Sequence, residues 1–108
     1  MDRQRPVDLE RTLNALKAEY PVLCWRLNPG EHYRVMRPDI RRGSVWIIPR
    51  LDHWCVNPTG AVWRRLEAFL KGQFGTVSHW DKPKSRWPYW DVTDLKHVAT
   101  IVREFGRL

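Results

Sequence analysis

The stretch NPGEHYRVMRPDIRRGSVWIIPR, Asn28 to Arg50, sets one histidine between a Pro-Gly turn and a run of arginines. An imidazole takes up or releases a proton near neutral pH, and guanidinium groups beside it hold a phosphate and stabilise charge developing on it. His32 with Arg26 and Arg34, bordered by Arg41, Arg42 and Arg50, therefore offers the residue types of metal-free RNA cleavage. In that reading His32 is the catalytic group and the arginines are nucleic-acid contacts. The same alternation arises on any solvated strand, so an exposed histidine with no chemistry remains the other reading.

A second group is HWDKPKSRWPYW, His79 to Trp90, where Trp80, Trp87, Tyr89 and Trp90 interleave with Lys82, Lys84 and Arg86. Aromatic faces stack unpaired bases while cations follow the backbone, which is how single strands are held without strict sequence preference. Lys82, Lys84, Arg86 and Trp87 are the candidate contacts of this segment. Seven tryptophans in 108 residues must mostly serve the core. Trp25, Trp63 and one of Trp80 and Trp90 are expected inside, and Trp87, in a polar loop before Pro88, outside. Exposed aromatics beside arginine also mark protein–protein contacts, so an acidic protein is an alternative partner.

The third group, DHWC, holds metal-ligand types in Asp52, His53 and Cys55, but no CxxC or HxxxH pair occurs in the chain. Zinc sites take about four ligands in recognisable pairs. Neither a phosphate-binding P-loop nor a dinucleotide glycine pattern is present. No metal site and no cofactor are expected.

Composition bounds these readings. The chain carries a net charge of +7 and a pI near 10, with arginine outnumbering lysine. That excess favours polyanionic partners, and arginine adds planar bidentate contacts and stacking that lysine lacks. At this length folding buries roughly two-thirds of the unfolded chain's surface, enough for one core without staples. Cys24 and Cys55 lie in apolar, strand-like stretches and read as buried free thiols. MDRQRPVDLE has no apolar signal-peptide core, and no apolar run approaches the ~20 residues of a membrane span. A cytoplasmic protein with no membrane contact is expected; its oligomeric state is open.

The elements that must position these groups follow from periodicity. Helical spacing of Leu9, Leu13, Leu16 and Tyr20 predicts a helix over 8–19, with Asp8 as N-cap and Pro21 as stop. VLCWRL predicts a strand with Leu23, Trp25 and Leu27 on one face and Arg26 on the other. HYRVM predicts a second with Tyr33 and Val35 inward and His32 and Arg34 outward. SVWIIP is a third strand, and HWCV either extends it or follows as a short strand of its own. A second helix opens at Asn57 or Thr59, buries Val62, Leu66, Phe69 and Leu70 with Trp63 alongside, and ends at Gly72. FGTVSHW and YWDV read as a strand pair. A third helix begins at Thr93 or Asp94 and turns Leu95, Val98, Ala99, Val102 and Phe105 inward. The order α-β-β-β-α-β-β-α predicts an α+β fold, one domain over 1–108, with a mainly antiparallel sheet packed against helices.

Over residues 8–71 this pattern, with GEHYRV and SVWIIPR in place, resembles the HicA-type mRNA interferase toxins. The resemblance implies a double-stranded-RNA-binding-like αβββα fold and a metal-independent ribonuclease. In that family a Gly-x-His opens the second strand and a Pro-Arg closes the third; the matching residues here are Gly30, His32, Pro49 and Arg50, with His32 in the catalytic place. The chain departs from the pattern at Glu31, where a small polar residue is usual, and at Leu51, where a histidine commonly follows Pro-Arg. Residues 73–108, a ββα extension, have no counterpart in it. The expectation is a small basic nucleic-acid-binding protein, RNA or single strands favoured, with ribonuclease chemistry implied by the resemblance. The alternative is a non-catalytic interaction module, such as a phage or mobile-element accessory or inhibitor protein.

Overall fold

The computed structural model describes residues 6–30, 32–75 and 89–108. Helix α1 spans Pro6–Glu19, strands β1 to β4 span Cys24–Asn28, His32–Met36, Val45–Pro49 and Trp54–Pro58, α2 spans Gly60–Phe74, β5 spans Trp90–Val92, and α3 spans Leu95–Arg107. The fold is α+β. The five strands form one antiparallel sheet in the order β1-β2-β3-β4-β5, so each strand after β1 pairs with its predecessor in the chain.

The helices supply one side of the core. Leu9, Leu13 and Leu16 of α1, Val62, Leu66 and Leu70 of α2, and Val98, Ile101, Val102 and Phe105 of α3 are all buried in one cluster. Their three- and four-residue spacing makes one apolar stripe per helix. α3 lies between α1 and α2 and also touches β4 and β5. The sheet supplies the other side through Tyr33, Val35, Val45, Ile47, Trp54, Val56, Trp90 and Val92. Because side chains alternate along a strand, the residues between these point to the opposite face, helix-free among the described residues.

Element boundaries differ from the sequence reading where local chemistry decides them. α1 starts at Pro6, two residues before the expected cap, because proline is preorganised for the first helical turn; Asp8 lies within that turn and its carbonyl accepts from the Thr12 hydroxyl. α2 runs through Gly72 to Phe74 and ends at Gly75, which has a positive φ and whose N–H donates to the Lys71 carbonyl. Thr59 holds the N-cap position of α2 without capping through its side chain; its hydroxyl reaches the Ser44 carbonyl, while Asn57 belongs to β4. α3 begins at Leu95, just after the expected Thr93 or Asp94, and the Asp94 carboxylate caps it by accepting from Lys96 N–H at 2.9 Å. HWCV is a strand in its own right, turned back on β3 by a bend in which Arg50 N–H donates to the His53 carbonyl. β5 pairs with β4; the rest of its expected partner, residues 76–80, lies outside the described residues.

Candidate functional site

The helix-free face is ordered by strand register. Arg26 faces Arg34, Arg34 faces Trp46 and Trp46 faces Asn57, so a single row crosses four strands. Directly opposed residues on one face of an antiparallel pair lie about 5 Å apart at their β-carbons. Beside this row His32 pairs with Asn28, and Ile48, Cys55 and Asp91 form a second row. His32 and Arg34 share the solvent side of β2 while Tyr33 and Val35 are buried, as their spacing predicts.

Trp46 is the centre of the exposed part. The Arg34 guanidinium carbon lies 5.3 Å from its ring centroid, and the His32 ring meets it edge-on at 6.5 Å. Arg34 Nε also donates to Ser44 Oγ at 3.1 Å, which holds the guanidinium in place over the indole. His32 in turn folds back toward the β1–β2 turn: a β-carbon on Gly30 would lie 3.8 Å from His32 Nε2. Arg26 is exposed and opposes Arg34 directly. Like charges facing each other across a ladder are destabilising, and among the described residues neither arginine has a carboxylate partner.

The remaining sequence candidates divide. Arg41 lines a cleft of about 290 Å³ together with Cys24, Arg34, Met36, Arg37, Pro38, Ile40 and Gly43, at the end of the helix-free face where β2 turns into β3. Arg42 is exposed beside the start of α2, its carbonyl accepting from Ala61 N–H at 2.6 Å. Arg50 is exposed at the other end of β3. Arg41 and Arg42 thus stand at one end of β3 and Arg50 at the other, separated by the length of the strand. Lys82, Lys84, Arg86 and Trp87, like Glu31, His79 and Trp80, lie outside the described residues. Trp90 is buried as expected, but Trp25 and Trp63 are only half-buried, because each lies at a margin of the core: Trp25 on edge strand β1, its indole N–H donating to Asn14, and Trp63 on the flank of α2 against Trp90. Leu27, expected inward, is 49% exposed at the end of the same edge strand.

Asp52, His53 and Cys55 do not assemble a metal site; among the described residues no cluster of three or more such groups is placed to hold an ion. His53 lies between two carboxylates instead, Nδ1 at 2.7 Å from Asp52 and Nε2 at 3.4 Å from Asp91. The His53 hydrogen bond lowers the Asp52 carboxyl below its ordinary 3.8. Burial, with the Asp91 carboxylate adding to it, pushes the Cys55 thiol up to about 12, which makes it an inert group. Both cysteines are free, and Cys24 is half-buried rather than buried, since it faces the cleft.

Two residues of consequence were not singled out by the sequence reading. Trp46 carries a legible signal, being the outward residue between Val45 and Ile47. Arg37 is also legible in hindsight, since it continues the inward parity of Tyr33 and Val35. It is 8% exposed, forms a two-pronged pair with Asp39, and donates to the main-chain oxygens of Phe105 and Leu108. Its role is to cap the carbonyl end of α3.

No family model, curated protein or solved structure matches this chain. The resemblance to the interferases thus rests on the short motifs alone, and between α1 and α2 the chain carries four strands.

Proposed function

We propose that this protein binds single-stranded nucleic acid, RNA in particular, on the helix-free face of β1, β2 and β3. The observation that carries this reading is the row Arg26–Arg34–Trp46, an exposed and a half-buried guanidinium opposed beside a half-buried indole on one sheet face. A phosphate between Arg26 and Arg34 relieves their repulsion, and a base stacks on Trp46 alongside the Arg34 plane. The flanking Asn28 and His32 supply hydrogen-bonding groups for base edges. The net charge of +7 adds long-range attraction for a polyanion.

On this reading His32 is a contact residue. Cleavage by displacement at phosphorus needs one group to take a proton and another to return it. The Trp46 indole meets the His32 ring and Asn28 lies opposite it in register, and neither side chain exchanges protons at neutral pH. Fluorescence anisotropy with a labelled oligouridylate tests the proposal, with integrity of the RNA followed on gels in the presence of chelator. Trp46→Ala is expected to weaken binding by about 1–3 kcal/mol, the scale of one stacked base. RNA should remain intact. Chelator-resistant cleavage that His32→Ala abolishes would instead make His32 catalytic, as the interferase resemblance implies. No binding even at low salt would turn the same Arg/Trp face toward an acidic protein partner.

A further inference from the structure

The cleft at the β2–β3 end of this face has a composition that the platform alone does not require. Arg34 is shared between the two: it stacks on Trp46 and also lines the cleft. Arg41, exposed and without an ion pair among the described residues, contributes the second open cation. Arg37, although a lining residue, is largely committed to Asp39 and to the main-chain oxygens at the end of α3. Met36, Ile40 and Pro38 make the wall apolar, and the 38–43 turn bounds the face beyond Arg34. At about 290 Å³ the space lies at the small end of ligand sites, which run from roughly 300 to 1,000 Å³.

We infer that this cleft takes the terminal phosphate of a single strand, with the end nucleotide seated against Met36 and Ile40. The inference rests on the nucleic-acid reading above and adds an end-specificity to it. An internal phosphodiester carries one negative charge and must leave the site on both sides. A terminal monoester carries about two charges near neutral pH, has three free oxygens for the two guanidiniums, and needs only one exit. Pro38, Ile40, Arg41 and Gly43 of the 38–43 turn line the cleft beyond Arg34. Arg34 then orients both the end phosphate and the base stacked on Trp46, which fixes where the strand starts on the sheet.

The test uses the full chain and four probes of one short oligouridylate: both ends hydroxyl, 5′-phosphate, 3′-phosphate, and both ends phosphorylated. A phosphate at one end is expected to tighten binding roughly tenfold, the scale of a charge-assisted contact. Arg41→Gln should abolish that preference while leaving the hydroxyl-ended probe within about twofold of its original affinity. Trp46→Ala should weaken all four probes alike. Equal affinity for all four, with dependence on Trp46 intact, would overturn the cleft inference and leave the platform standing. A phosphate preference that survives Arg41→Gln would also overturn it. Failure of every probe to bind would remove the platform reading itself.

Discussion

Arg37 and Arg34 are three residues apart and do opposite work, because one points into the core and the other onto the open face. Arg37 is desolvated, and its hydrogen bonds to Asp39, Phe105 and Leu108 offset that cost. Truncation to alanine strands the α3 carbonyls and empties the space, so Arg37→Ala should cost about 3 kcal/mol in urea denaturation. Arg34→Ala removes a half-exposed group with a single hydrogen bond to Ser44; its denaturation midpoint should move little while RNA affinity falls. A comparable loss of stability in both variants would mean that Arg34, too, is structural. The thiols also differ by placement. Cys55, raised to about 12 by burial, should resist alkylation at pH 8 in the native state, whereas half-buried Cys24 should react first.

Between strands the decisive contact is backbone to backbone. Gly43 has φ 142°, and a β-carbon there would lie 2.2 Å from the Thr59 carbonyl oxygen; at Gly60 it would lie 2.5 Å from the Arg42 carbonyl. The two glycines let the end of the 38–43 turn press against the start of α2, where Ala61 N–H donates to Arg42. That contact sets the position of Arg41 and hence the width of the cleft. Gly43→Ala combines a disfavoured φ with a steric overlap no side chain can relieve, and should cost about 3 kcal/mol. In any fraction that still folds, the preference for phosphorylated ends should be lost along with stability. Near-native stability in Gly43→Ala would show that the turn and α2 are not locked together. Two buried indoles are a further cost to the packing: Trp54 and Trp90 bring N–H groups into the core without an acceptor among the described residues, each at about 1–3 kcal/mol. The apolar area they bury between β4, β5 and the helices offsets this.

For the molecule as a whole, charge governs both partner and pH response. Two arginines on the open face, Arg26 and Arg34, imply a plot of log affinity against log salt with a slope of about −1.4 for a hydroxyl-ended single strand, at about −0.7 per neutralised phosphate, and Arg41 steepens it only for a phosphorylated end. Each arginine replaced by glutamine should make the slope shallower by about 0.7; a slope near zero would rule out the electrostatic platform. Acid stability follows from two carboxyls. Asp39 is lowered from its ordinary 3.8 by the Arg37 hydrogen bond, and Asp52 is lowered by His53. A carboxyl whose folded value is depressed adds stability that is whole above the unfolded value and vanishes as pH falls through the folded one. Both contributions should therefore be intact at neutral pH and fade below 3.8. Asp39→Asn combined with Asp52→Asn should flatten this part of the acid-unfolding curve; an unchanged curve would assign acid sensitivity to other groups.

How far the chain could be read in advance depended on whether a feature was local. The facing of His32, Arg34, Tyr33 and Val35 followed from a two-residue period, and the buried stripes of the helices and the start of α3 near Asp94 from spacing of three and four. The basic balance that favours a polyanion needed no fold at all. Periodicity separates two faces of a strand but does not say which face the helices cover, since that depends on how the three helices pack around α3 across the sheet. For the same reason it did not bring Arg37 to the end of α3, set Trp46 between Arg34 and His32, or part Arg50 from Arg41 and Arg42. Those are relations between residues far apart in the chain. They exist only once strand register and helix packing have been set together, because the cost of bringing distant segments into contact is met by the common core and not by any local preference.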